Sequence, residues 1–155
     1  MKDNANIFDL ALKDEPELLR SALPREKAVT DVRTRDGVSL LLFCCYRGLE
    51  RNREALLEIA PDLPLHEAVA LGRTERVHEI LRQDPWAANT LSADGWTPLH
   101  LAAFFHQNPS LYLLIEHGAD AGLFARAVEQ NLPIHAACGS GNAEAALALV
   151  PLTPT

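Results

Sequence analysis

The side chains with the widest chemical range in this sequence are a recurring histidine and three cysteines. The histidine stands two residues after a proline three times over. These positions are His66, His100 and His135. Imidazole nitrogens and thiolates are ligands of zinc, and the same groups act as general bases and nucleophiles in enzymes. Any such chemistry requires them to meet at one point, so the elements that carry them decide the question.

The stretch around His100, residues 94–103, has the pattern of a turn that leads into a helix. Asp94 and Gly95 predict the turn. Thr97 is a suitable N-cap, and Pro98 suits the first helical position, where a missing N–H costs nothing. Apolar residues then recur at helical spacing.

A second apolar helical pattern covers residues 111–115, and Gly118 stands where a left-handed C-terminal residue is expected. The hexapeptide Thr-Pro-Leu-His-x-Ala at residues 97–102, followed by this helix and by Gly-Ala-Asp at residues 118–120, resembles an ankyrin repeat. A single unit of this kind buries its apolar faces only against neighbouring units. The rest of the chain must therefore contain further copies.

The other copies of the repeat can be located from the position that His100 occupies within its own repeat, here called the His100 slot. In the five units that slot is filled by Phe8, Leu42, His66, His100 and His135. The predicted repeats cover approximately residues 6–34, 35–61, 62–91, 92–123 and 124–155. The resemblance implies an all-α fold, an ankyrin-repeat α-solenoid of stacked helix–turn–helix units with short finger loops, formed by residues 1–155 as a single ankyrin-repeat domain.

Three departures from the pattern carry further predictions. The slot residues of the second and third repeats, Leu42 and His66, are only 24 residues apart. This spacing predicts a direct helix-to-helix connection at Pro61 and Asp62, without a finger. His106 occupies the glycine position between two helices, so a positive φ is expected there. The last helix, residues 143–150, has one charged side chain. We expect either a truncated fragment of a longer ankyrin protein or coverage of that face by another copy or a partner.

In this register the histidines do not converge. First helices of adjacent units stand about 10 Å apart, whereas zinc ligands lie about 2 Å from one ion. We therefore expect the imidazoles to bond to neighbouring turns and hydroxyl groups. The thiols of Cys44, Cys45 and Cys138 fall on small-residue positions of first helices and are expected to act as small buried apolar groups. The sequence predicts no catalytic residue, no metal site and no cofactor; the rival interpretation, an enzyme or metal protein, requires solvent access to His100 or Cys45.

Composition limits the partners. With 14 Lys and Arg against 21 Asp and Glu, the net charge is −7, which disfavours nucleic acid and anionic membranes as partners and leaves a local basic patch open. The longest apolar run, residues 40–45, is too short to cross a bilayer. The first residues have no signal-peptide pattern. Three cysteines cannot all pair within one chain, so a cytoplasmic location is expected.

The resemblance implies a non-catalytic protein–protein interaction module that binds through its concave face and finger loops. Carried onto this sequence, the family's contact positions hold an unusual share of aromatic side chains and an arginine, types that dominate interface hot spots. The predicted partner-binding residues are Tyr46, Arg47, Leu71, Trp96, Phe104 and Phe105. The alternative is that Phe104 or Phe105 packs into the neighbouring unit, or that Trp96 folds down over its own finger. Trp86 is expected to pack beneath the loop to the fourth unit, and self-association through the last helix stays open as a third hypothesis.

Overall fold

The computed structural model of the chain describes residues 3–60, 62–126 and 130–155, with side chains from residue 7 onward. Contacts divide the chain into two compact units, residues 1–64 and 65–155. Regular structure in the described ranges is helical, and a single isolated antiparallel bridge joins Arg33 to Ser39. The expected all-α class is therefore confirmed. The treatment of residues 1–155 as one continuous domain stays a prediction.

The described residues of the first unit form four α-helices: α1 (Asp3–Ala11), α2 (Pro16–Ala22), α3 (Leu40–Arg47) and α4 (Glu50–Glu58). A 3-10 turn, Val29–Asp31, precedes the finger that leads into α3. In that finger the Thr34 amide donates to the Val38 carbonyl at 2.9 Å, and Gly37 provides the positive φ of the turn. Leucines fill the core between the two helix pairs. The first helices α1 and α3 pack on each other, and so do the second helices α2 and α4.

In the second unit, the part of the chain that the structure describes forms six α-helices: α5 (Leu65–Ala70), α6 (Thr74–Gln83), α7 (Pro98–Phe104), α8 (Asn108–Glu116), α9 (Pro133–Ser140) and α10 (Ala143–Leu149). Two 3-10 turns, Pro85–Asn89 and Val150–Leu152, follow α6 and α10. The first helix of each pair packs beside the next first helix, so α7 contacts both α5 and α9, and α8 contacts both α6 and α10. This is the two-layer packing of stacked helix pairs that the repeat pattern predicted.

Local signals in the fourth repeat are confirmed. The Thr97 side chain caps α7 by accepting from the His100 amide, and Pro98 takes the first helical position. Gly118 has φ 85° after α8, and the next amide, Ala119, donates back to the Leu114 carbonyl at 2.9 Å. Leu99 and Leu114 are fully buried on the inner faces of the two helices.

The repeat register predicts the second helix of the second repeat at residues 52–60, with an apolar residue at the position of Arg53. The helix α4 begins and ends two residues earlier than that span. Its buried face consists of Asn52, Ala55 and Leu56, while Arg53 is half-buried. Asn52 is buried although it is polar, because its side-chain amide donates to the Ala11 carbonyl of the preceding repeat at 2.8 Å.

Two of the three departures from the repeat pattern come out as predicted, although Pro61 itself lies outside the described residues. Only residues 59–64 join α4 to α5, too few for a finger, and no strand pairing is found in the described part of this segment. His106 has a positive φ of 57°. Asp14, at the corresponding glycine position of the first repeat, also has a positive φ, 50°.

The prediction for Trp86 was wrong. This side chain is 83% exposed rather than packed beneath the loop. The Asp84 carboxylate caps the 3-10 turn by accepting from the Trp86 amide at 3.1 Å, and Ala87 and Ala88 then face inward. The turn directs the indole outward because the two alanines take the inner positions.

Candidate partner-binding surface

His100 is a structural histidine. It is 1% exposed, and its Nε2 lies 2.9 Å from the Asn131 carbonyl oxygen. Since a carbonyl only accepts, Nε2 carries the proton, and Nδ1 accepts from the Thr97 hydroxyl at 2.7 Å. Burial lowers the pKa of His100, partly opposed by the Asn131 hydrogen bond and reinforced by nearby His135. The ring is therefore neutral and bonds both to its own helix cap and to the next finger.

The other two histidines of this slot also bond to turns. His66 is half-buried, and its Nε2 donates to the Thr90 carbonyl at 3.0 Å. His135 is exposed, and its Nδ1 accepts from the Leu132 amide at 2.9 Å, which caps α9. The predicted bonds to neighbouring turns are thus present, although only His100 is fully buried.

The cysteines divide into two classes. Cys44 and Cys45 are buried, and burial, with nearby Cys45 and Asp14, raises the pKa of Cys44 to about 12. A thiol with such a pKa is not a nucleophile at neutral pH. Cys138 is exposed, so its expected burial was wrong. It lies on the face of α9 that corresponds to buried Ala103 of α7, and within the described residues no further helix pair covers that face.

The described residues contain no group of three or more His, Cys, Asp or Glu side chains that could hold a metal ion. His100 and Cys45, the two groups on which the enzyme interpretation depended, are 1% and 8% exposed. Their burial removes the solvent access which that interpretation required.

Hydrogen bonds connect the turn between the two helices of one repeat to the corresponding turn of the next repeat. The side chain of Gln107 donates to the Ala70 carbonyl at 3.4 Å, across from α7 to α5. One repeat further on, the His106 ring donates to the Ser140 carbonyl at 2.9 Å, and the Asn142 amide group donates to the Ala103 carbonyl at 2.9 Å. The residues just before each turn are therefore held at fixed spacing along the inner helices.

The aromatic candidates of the second unit have different environments. Phe104 is 45% exposed at the end of α7, and its ring meets that of Phe105 edge to face, with centroids 5.1 Å apart. Trp96 is half-buried, and its ring lies 5.6 Å from the His100 ring. Trp96 thus packs partly onto its own repeat, which agrees with the structural alternative. Leu71, at the equivalent turn after α5, is half-buried.

In the first unit, Arg47 is exposed and Tyr46 is half-buried at the end of α3. The Arg47 guanidinium lies 5.7 Å from the centre of the Phe43 ring, a cation–π contact. The Phe43 ring in turn meets Phe8 at 5.0 Å. Packing therefore restrains the arginine while its charge stays in contact with solvent.

Sequence reasoning missed two exposed aromatic side chains. Trp86 is 83% exposed and Phe124, in the loop after α8, is 59% exposed. For Trp86 the Asp-Pro pair and the following two alanines were a usable signal, because they predict a capped turn with a small inner face. For Phe124 the sequence offers no comparable signal.

A profile of a known repeat family matches the second unit. A family profile, ankyrin repeats in three copies, matches residues 65–154. The chain therefore belongs to the ankyrin repeat family. Among curated proteins, ankyrin repeat and SAM domain-containing protein 6 of Rattus norvegicus is 42% identical over 60 residues, which is 39% of this chain. The match covers only 7% of that relative's length.

The predicted recognition is thus confirmed, and the matched region coincides with predicted repeats three to five. Ankyrin repeats are generally protein–protein interaction modules. In the described part of the chain, no helix is both long enough and apolar enough to span a membrane.

Proposed function

We propose that this chain is a non-catalytic module that binds another protein through the residues at the ends of its first helices. The observation that carries the proposal is the exposure of Phe104, 45%, on a helix whose neighbouring positions are buried. Leaving a phenylalanine in water forfeits roughly 1.5–3 kcal/mol relative to its burial. A partner that covers this ring recovers that free energy.

The surface around Phe104 is preformed. The turns that flank it are cross-bonded through Gln107 and His106, and Phe105 supports the ring from the side. A rigid site loses little conformational entropy on binding, so a larger part of the contact energy appears as affinity. We assign Phe104 as the central contact of the second unit, with Phe105, Leu71 and the free edge of Trp96 around it.

In the first unit we assign Arg47 and Tyr46 as contacts. The cation–π contact with Phe43 limits the conformations of Arg47 before binding. Arginine also carries five donors in a rigid fork, which suits a carboxylate on the partner. We infer that the contact of the second unit takes an apolar group of a partner against Phe104, and that the contact of the first unit takes an acidic group against Arg47.

The test is affinity capture from a lysate of the source organism, with native and variant chains compared by quantitative mass spectrometry. Phe104→Ala is expected to lose a partner that the native chain retains. Tyr112→Ala is the matched control, because Tyr112 is similarly exposed at 42% but lies on α8, a second helix. Equal capture by the native chain and both folded variants would contradict the assignment.

The remaining parts of the proposal concern chemistry and location. The burial of Cys44, Cys45 and His100 supports a non-catalytic role, and the net charge of −7 supports a partner other than nucleic acid. Three free cysteines support a reducing compartment such as the cytoplasm.

A second candidate function is self-association. The outer side of α10 and the turn after it expose three apolar side chains. These are Leu147 at 75%, Val150 at 58% and Leu152 at 46%. Exposed apolar groups in one short segment are typical of an interface, and a second copy of the chain is the simplest partner for them.

A further inference from the structure

Two histidines that the repeat register does not require meet on the second helices of repeats three and four. The rings of His78 and His117 have their centroids 5.8 Å apart and are tilted by 57°. His78 is exposed on α6, and His117 is half-buried directly after α8. Neither belongs to the buried slot occupied by His100.

The spacing of the two rings suits one shared ion. An ion about 2.1 Å from each donor nitrogen lies about 3 Å from each ring centre, so two imidazoles on one ion have centres roughly 5–6 Å apart. The observed 5.8 Å falls in this range. A shared ion requires that one nitrogen of each ring point at it, a direction that the two side-chain torsions of each histidine adjust.

The backbone on both sides is held in place. His78 lies between Val77 and Leu81 on α6, and both of these are fully buried. At the end of α8, the Gly118 carbonyl accepts from the Asn89 side-chain Nδ2 at 3.1 Å, and the Asn89 side-chain Oδ1 accepts from the Asp120 amide at 2.8 Å. The backbone segment that carries His117 is thus tied to the 3-10 turn that follows α6.

We propose that His78 and His117 form a surface site for a divalent transition-metal ion, bridging the second helices of repeats three and four. Two imidazoles favour Cu²⁺, Ni²⁺ and Zn²⁺, whereas Mg²⁺ prefers oxygen ligands. The described residues place no third His, Cys, Asp or Glu with this pair. Water completes the coordination, so the ion exchanges readily and its open positions accept a further ligand.

The ion series gives the first test. We titrate Cu²⁺, Ni²⁺, Zn²⁺ and Mg²⁺ separately into the full chain, prepared without any added histidine tag, by isothermal calorimetry. Affinity is expected to fall from Cu²⁺ to Ni²⁺, with one ion per chain and no saturable Mg²⁺ binding. Binding of Mg²⁺ equal to that of Ni²⁺ would overturn the proposal, because it would indicate non-specific attraction to a chain of net charge −7.

Substitution gives the second test. His78→Gln and His117→Gln are each expected to weaken Ni²⁺ binding at least about tenfold, since removal of even an outer-shell partner costs 10–100-fold at metal sites. Both positions lie at the surface, and circular dichroism checks that the variants keep their helix content. His106→Asn is the matched control, an exposed histidine of the same unit replaced by a residue that tolerates its positive φ.

Thermal unfolding provides a separate readout. An ion that binds only the folded chain raises its midpoint temperature, so Ni²⁺ is expected to shift the native chain and the His106→Asn control but neither glutamine variant. Unchanged Ni²⁺ affinity in the glutamine variants, or one ion shared by two chains, would overturn the proposal.

Discussion

At the scale of single residues, His100 combines three functions in one side chain. It packs against Trp96, accepts from the hydroxyl that caps its own helix, and donates to the finger of the next repeat. Acceptance from the Thr97 hydroxyl requires the neutral ring with its proton on Nε2. Protonation would place a proton on Nδ1, where the Thr97 hydroxyl now donates, and a charge in a buried site.

This predicts a specific pH dependence of stability. The folded-state pKa of His100 lies below its ordinary value, because burial disfavours the charged ring. Below about pH 6.5, His100 binds a proton in the unfolded chain but not in the folded chain. The free energy of unfolding therefore falls as the pH falls toward the folded-state pKa. Urea unfolding between pH 7.5 and 5.5 measures this loss. His100→Gln is expected to be less stable at pH 7.5 but to lose less stability on acidification, and an equal loss in both chains would contradict the role of His100.

His106 predicts a contrast between two substitutions. A left-handed residue other than glycine costs about 1–2 kcal/mol, and the bond from the His106 ring to the Ser140 carbonyl returns about 0.5–1.5 kcal/mol. His106→Gly removes both terms and is expected to change the free energy of unfolding by less than about 1 kcal/mol. His106→Val keeps the strain, adds a β-branch and loses the bond, so we expect a loss of about 2 kcal/mol. Equal effects in urea unfolding would show that backbone strain is not the controlling term.

At the scale of elements, α3 and α7 are both capped by a hydroxyl side chain but differ in what lies beneath the cap. The Thr97 hydroxyl caps α7 and also satisfies His100, whereas Ser39 caps α3 above Leu42, which needs no polar partner. Removal of a cap costs about 1 kcal/mol, and a buried group left without its partner costs about 1–3 kcal/mol more. Thr97→Ala is therefore expected to destabilise its repeat by about 2–3 kcal/mol, and Ser39→Ala by about 1 kcal/mol.

Hydrogen exchange of the α7 and α3 amides measures the two losses separately in the two units. Thr97→Ser is the control, because it keeps the hydroxyl. If Thr97→Ala and Ser39→Ala gave the same loss, the bond to His100 would contribute nothing.

The elements also show what the sequence can predict. Helix ends were predictable where a local signal fixes the backbone, as with Thr97 and Pro98 at the start of α7 and Gly118 after α8. The burial of Cys138 and Trp86 was mispredicted because burial depends on what packs over a residue, and repeat register alone does not contain that information. The register placed Phe104 at the end of a first helix, but only the coordinates show that its ring is exposed while Trp96 is partly used for packing.

At the scale of the whole molecule, charge and apolar exposure act in opposite directions. A net charge of −7 makes copies of the chain repel one another over about 8 Å at physiological ionic strength. The apolar side chains around α10 favour contact once two copies meet. Association is therefore expected to be weak and to increase with salt.

The size of the apolar term sets the prediction for self-association. In a two-fold dimer through Leu147, Val150 and Leu152, six partly exposed side chains contribute at most about 1.5–3 kcal/mol each, against roughly 4–15 kcal/mol for lost freedom of motion. The surplus is small, so sedimentation velocity should show a monomer in dilute solution and a larger species at high concentration. Leu147→Gln with Leu152→Gln is expected to abolish this dependence without a change in net charge, whereas Phe124→Gln, at an exposed aromatic distant in sequence, should leave it intact. A concentration-independent monomer of the native chain, at low and at high salt, would exclude this interface and leave the outer side of α10 to a different partner.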